Sequence, residues 1–372
     1  MPALRLGAFY AALFFTQGVL LPFWPVWLSA RGLSVGEIAV VLAAAQWIKV
    51  AGNPLAGIAA DRSGMPRGVM LRLSAVALLG FLLFLPAHSF AALALLSALT
   101  GAALSAVLPL GDNIALAAAT AGEIDYGRVR LWGSLGFIAA ALIAGRLIEA
   151  AGADSVLYLP IAAAAAMLAA CAGLAERGTR AAPRPAFGAG LRHLPLLLFA
   201  AATAVQGSHA VYYGFGTLYW QRLGIGDGAI AALWAEGVVA EILLFYASAP
   251  LLRWLGPAGM LALGGGAGMI RWSLAGIATA LPALALLQLL HALTFAAAHL
   301  GAMHHLARVL PPEQAATGQA LYSALVGGVG QGLALLLAGA LFAAFGAAAY
   351  QAMAALAALG LALSLRLAAT NS

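Results

Sequence analysis

Six charged side chains stand inside long apolar stretches of this sequence: Lys49, Asp112, Arg130, Glu236, Glu241 and Arg271. Three histidines, His209, His291 and His299, have the same kind of neighbours. In hydrocarbon an unpaired charge is costly, so each such group needs a partner or an aqueous cavity. Glu241 is flanked by Val238, Val239, Ile242 and Leu243. A carboxyl group that alternates between water and apolar surroundings can load and release a proton, so Glu241 is the first candidate for proton coupling. His291 and His299 are candidate relays, because imidazole titrates near neutral pH. Packing through hydrogen bonds is their other reading. Arg130 offers a planar fork that grips a carboxylate with two hydrogen bonds. Asp112 would hold that fork when no acidic solute is present. The alternative is that Arg130, like Arg128, only sets orientation at the interface.

The remaining candidates follow from depth. At about 1.5 Å per residue, Glu236 lies roughly 12 Å, Lys49 roughly 18 Å and Glu241 roughly 20 Å from the outer ends of their spans. Lys49 is a possible partner of Glu241. Glu236 and Arg271 are read as a structural salt bridge between neighbouring helices. No catalytic or metal-binding constellation is expected. There is one cysteine, Cys171, and no serine-centred elbow or close ligand cluster. The run Gly264-Gly265-Gly266-x-Gly268 follows no strand, so it serves helix packing rather than a nucleotide.

The elements that carry these groups must be membrane helices. The chain is 64 % apolar and 8 % charged, with mean hydropathy +0.99. A soluble domain carries about 25 % charged residues. In lipid only helices or closed barrels satisfy the backbone, and these stretches lack the alternation of barrel strands. The net charge of +6 does not imply nucleic acid, because the arginines are spread over the loops. The first apolar run holds Gln17, Pro22 and Pro25 and reads as a span rather than a cleaved leader.

Twelve spans are expected near 6–29, 37–60, 69–87, 90–115, 128–149, 156–175, 194–218, 228–249, 258–278, 283–304, 317–341 and 346–366. With both termini cytoplasmic, twelve arginines fall on the inner side and only Arg31, Arg146 and Arg222 on the outer side. An arginine- and proline-bearing linker, 176–193, separates an N-terminal six-helix bundle, 1–175, from a C-terminal one, 194–372. The halves look related. Phe23-x-x-x-Trp27-Leu28 matches Phe215-x-x-x-Tyr219-Trp220 without a gap, and the same offset sets Lys49 against Glu241.

The motif Gly57-x-x-x-Asp61-Arg62-x-Gly64 resembles the loop signature of the major facilitator superfamily. It departs from it at Met65 and Pro66, where the family has basic residues. Further segments resemble the phenylpropionate permease family. These are Phe14-Phe15, Pro22-Phe23-Trp24-x-Val26-Trp27-Leu28 and Tyr126-Gly127-Arg128-Val129-Arg130-Leu131-Trp132-Gly133-Ser134. The second half adds Gln206-Gly207-x-His209-Ala210-x-Tyr212-Tyr213-Gly214-Phe215, Gly237 to Glu241, and Arg271-Trp272. The spacing of Asp112 and Arg130 resembles the carboxylate–arginine pair of lactose-permease-like proteins.

The resemblance implies an all-α major facilitator fold of two pseudo-symmetric halves. It implies a multi-pass protein of a bacterial inner membrane that takes up an aromatic carboxylate with protons by alternating access. No cofactor is expected beyond the proton gradient. The expected partners are a small solute and lipid, and a single chain with both halves can act as a monomer. In that fold the first and seventh spans line the cavity. Gln17, Trp24, Gln206, His209 and Tyr213 therefore join Lys49, Asp112 and Arg130 as substrate-binding candidates, with Trp27 and Trp220 in the interfacial belt. Gly57, Asp61, Arg62 and Gly64 would serve gating. The alternatives are nucleoside or sugar symport, drug or metabolite efflux by antiport, and a membrane-embedded enzyme.

Overall fold

A computed structural model describes residues 2–176, 195–311 and 314–370, without the side chains of residues 315 and 316. The expected linker 176–193, apart from residue 176, and its four arginines lie outside the described residues. Among the described residues nine helices are long and apolar enough to cross a membrane. Two of these are double: Gly256 (φ 67°) breaks Asp227–Ala275, and Gly346 (φ 56°) breaks Thr317–Ala369. Among the described residues every regular element is a helix. The chain divides into two compact units: Met1–Pro183 with Gly226–Ala232, and Arg184–Ile225 with Leu233–Ser372.

The first unit holds α1 (Pro2–Ala30), α2 (Val35–Ser63), α3 (Pro66–Leu83), α4 (Phe90–Thr120), α5 (Tyr126–Ala151) and α6 (Tyr158–Gly173). Local chemistry sets the ends of α2. The Ser34 hydroxyl accepts from the Glu37 amide, and the Glu37 carboxylate accepts from the Ser34 amide at 2.8 Å. At the other end Gly64 takes the left-handed conformation (φ 63°) that closes the helix. Asp61 and Arg62 are exposed beside it.

Small residues decide how closely these helices approach. A Cβ on Gly18 of α1 would stand 2.4 Å from the Phe137 carbonyl of α5, and one on Gly136 would stand 2.4 Å from the Ala11 carbonyl. Such backbone contact is how apolar helices associate in lipid, where the hydrophobic effect does not drive them together. Helix α2 packs on α4 in the same way, through Gly52 against Ala102 and Gly101 against Ala45.

The second unit begins with α7 (Leu196–Gly207) and α8 (Ala210–Arg222), one rod interrupted at Ser208 and His209. Helix α9 (Asp227–Ala275) starts in the first unit and belongs to the second from Leu233 onward. Then come α10 (Leu281–Leu289) and α11 (Ala298–Val309), joined by a π-helical turn over Ala292–Ala297. A second π-helical stretch, Ser323–Gly330, joins α12 (Ala315–Tyr322) to α13 (Gln331–Phe345), and α14 (Ala349–Ala369) follows. Gly264 approaches Ala298, and Gly301 approaches the Pro257 carbonyl. The glycine run therefore lies in a helix and packs against a neighbour.

Candidate functional site

Asp112 and Arg130 meet in the first unit, brought there by α4 and α5. Asp112 Oδ1 accepts from the Tyr10 hydroxyl at 2.5 Å and from the Tyr126 hydroxyl at 3.2 Å. Arg130 Nε lies 3.9 Å from the same oxygen. The guanidinium sits over the Phe14 ring at 4.2 Å and the Tyr10 ring at 5.1 Å. Ring faces attract a cation and orient it. At 3.9 Å this is an ion pair without a hydrogen bond, so the planar fork is not closed on Asp112 as a two-point pair. Both side chains keep about three-tenths of their surface accessible, 31 % for Arg130 and 28 % for Asp112.

Gln17, Trp24 and Lys49 line a cavity of this same unit. The Lys49 ammonium donates to Gln46 Oε1 at 2.7 Å. Trp24 stacks on Trp27 with ring centroids 4.5 Å apart, and Phe84 meets both rings edge-on. Trp27 is fully buried and Trp220 of the second unit is 3 % exposed. Neither is the interfacial anchor that its place near a span end predicts. Each turns into its own bundle, where aromatic partners cover it.

The second unit holds a longer chain of polar groups around Arg271, which is 1 % exposed. Its guanidinium donates to His291 Nδ1 (2.9 Å), Thr294 Oγ1 (3.0 Å) and Gln288 Oε1 (2.7 Å). The neighbouring rings of Tyr212 and Trp272, 5.8 Å apart, lie 4.7 and 4.5 Å from it. On the other side of the imidazole, His291 Nε2 lies 2.7 Å from Glu241 Oε1. Arginine has only donors, so Nδ1 must accept. The ring proton then sits on Nε2 and is donated to Glu241.

His299 lies within electrostatic reach of Glu241. It stacks on Phe295, which stacks on His291, at centroid distances of 6.3 and 5.6 Å. Tyr213 also lies within electrostatic reach of Glu241. His209 joins the network through Thr294 Oγ1 (3.0 Å) and the Gln206 carbonyl (3.1 Å), and the Gln206 amide reaches the Phe295 carbonyl at 3.5 Å.

The expected bridge between Glu236 and Arg271 is replaced by this arrangement. Arg271 is turned toward α10 and the π-helical turn, where His291, Thr294 and Gln288 take its donors. Equal depth put Glu236 within apparent reach, but the direction of the side chain decided the partner. Gln288, Thr294, Tyr10 and Tyr126 escaped the sequence reading. The spacing of Gln288, His291 and Thr294, three residues apart each time, was the available signal, because it places all three along one helix face.

The MFS_1 like family profile matches residues 3–352. The chain is 34 % identical over 345 residues to the "Probable 3-phenylpropionic acid transporter" of Escherichia coli (strain K12), covering 90 % of this chain and 89 % of that one. It is 35 % identical over 142 residues to the maltose permease of Geobacillus stearothermophilus, covering 38 % of this chain and 36 % of that one. Among solved structures the nucleoside transporter NupG superposes with TM-score 0.85 at 16 % identity, covering 99 % of this chain and 98 % of that one. A peptide transporter of the POT family, PepTSo, superposes with TM-score 0.79 at 12 % identity, covering 100 % of this chain and 98 % of that one.

Helical membrane architecture and buried polar clusters define a membrane transporter with the major facilitator fold. The chain belongs to the MFS_1 like family. It is a secondary transporter of that type, moving a small solute across a membrane, and not an enzyme.

Proposed function

We propose that the protein takes up a small aromatic carboxylate, such as 3-phenylpropionate, together with protons. The setting is a bacterial-type cytoplasmic membrane with both termini on the cytoplasmic side, as the distribution of arginines supports. The two six-helix halves, 1–175 and 194–372, expose the solute site alternately to either side. A single chain supplies both halves, and the proton gradient is the energy source.

The observation that carries proton coupling is the contact of Glu241 with His291, backed by Arg271. A carboxylate at that position receives one hydrogen bond from a ring whose far side is fixed by a permanent cation. Loading a proton on Glu241 removes the charge that holds this contact together, so protonation and side-chain position are linked. Arg130 supplies the fork for the solute's carboxylate, and Asp112 keeps it in place between cycles. The choice of an aromatic acid is supported by the similarity to the Escherichia coli relative.

Purified protein in lipid vesicles, with labelled 3-phenylpropionate and an inward proton gradient, tests this. Wild type should accumulate the acid above equilibrium. Glu241→Gln should lose accumulation while still exchanging label for unlabelled solute. Unchanged proton-driven accumulation in Glu241→Gln would remove Glu241 from coupling. Label displaced by nucleosides or maltose and not by aromatic acids would point to the sugar or nucleoside reading, which the partial match to maltose permease keeps open.

A further inference from the structure

The cavity of the first unit, between α1, α2, α4 and the end of α3, is built for a ligand of its own. Its volume is about 120 Å³. A single water needs roughly 10–15 Å³ of such a cavity, so a small organic molecule has room.

Lys49 brings a cation to the wall. It commits one donor to Gln46, and among the described residues of this unit no carboxylate pairs with it. An ammonium has three donors. The same cavity is lined by the rings of Trp24, Phe81 and Phe84, which pack edge-on or tilted against one another. Ser97 and Thr100, 6 % and 3 % exposed, line the same space. Their hydroxyls have no hydrogen-bond partner among the described residues. A buried hydroxyl left unpartnered is unfavourable, and a half-buried cation on an apolar wall lacks a counter-charge. Both needs are met by an anion with a flat apolar body.

We propose that this cavity binds a small aromatic carboxylate, its charge on Lys49 and its ring against Trp24 and Phe84, at a site distinct from Asp112 and Arg130. The choice of acid rests on the transport reading above; the need for an anion does not.

Binding of labelled 3-phenylpropionate to the purified full chain in lipid nanodiscs tests it. With the other site silenced by Arg130→Ala, the expected result is about a ten-fold weaker affinity on adding Lys49→Met, about 1.4 kcal/mol, with near-normal binding on adding Lys49→Arg. Ser97→Leu, which fills the cavity without touching a charge, should weaken binding as much. Binding that depends on Lys49 should persist in Arg130→Ala, and hexanoate should compete far less well than 3-phenylpropionate. If Lys49→Met and Ser97→Leu bind normally while Arg130→Ala does not, the cavity proposal falls and the transport reading stands. If wild type binds no aromatic carboxylate, both fall. Binding that depends on Lys49 without proton-driven accumulation in vesicles would keep the site and sink the transport reading. Equal competition by hexanoate would overturn the aromatic part of the assignment. Should Lys49→Met fail to fold, Lys49→Arg and Ser97→Leu decide the matter.

Discussion

Glu241 Oε1 and His291 Nε2 stand 2.7 Å apart in the second unit, and the opposite nitrogen of the same ring accepts from Arg271. A single imidazole thus separates a carboxylate from a guanidinium. Replacing the ring by Ala leaves both charges facing a void. His291→Ala should therefore depress proton-driven accumulation by about ten-fold or more, within the usual range for loss of a positioned proton-transfer group, and exchange of label should fall less. Equal loss of both activities would show that His291 only holds the fold.

Arg271 holds the polar network of the second unit together. It is buried, makes three hydrogen bonds to side chains and lies against two neighbouring rings. Arg271→Met should lower stability by about 3–5 kcal/mol, the cost of breaking a buried charged network. Arg271→Lys should recover little, because an ammonium cannot serve three acceptors in a plane. Thermal unfolding in detergent measures both.

Around Arg130 the expected effect is on affinity rather than stability. Arg130→Lys keeps the charge but loses the fork and the flat contact with Phe14. The apparent affinity for an acidic solute should fall by about ten-fold, or roughly 1.4 kcal/mol. Tyr10→Phe removes one of the hydrogen bonds to Asp112 and should cost about 1 kcal/mol in stability. Uptake titration of Arg130→Lys and thermal unfolding of Tyr10→Phe separate these effects.

The contact between α1 and α5 is tested by Gly18→Ala and Gly136→Ala. Each added methyl would meet a backbone carbonyl that cannot step aside. Each should lower the unfolding temperature, with a cost of about 1–3 kcal/mol. Gly57→Ala has open space around its Cβ and should change little.

The limits of the sequence reading show at particular residues. Depth along a span is legible, because rise per residue is constant. It brought Glu241 and Arg271 to notice, but it paired Arg271 with Glu236. The actual partner depends on rotation about the helix axis. The π-helical turn Ala292–Ala297, directly after His291, shifts that rotation relative to a regular helix. Nothing in the local residues announces it. Trp27 and Trp220 fail for the same reason: position near a span end is a depth statement, while burial against Trp24 or Tyr212 is a statement about direction.

The amino-acid sequence by itself determined that this protein is a bundle of membrane helices with a few charges held inside. The reason is local: without water, each stretch must satisfy its own backbone, so apolar length alone decides that it is a helix. Which charges meet was decided only by the tertiary structure. Asp112 reaches Arg130, Glu241 reaches His291 and Arg271 reaches Gln288 through the rotation and spacing of helices. Those are set by contacts such as Gly18 on Phe137 and Gly264 on Ala298, between residues far apart in the chain.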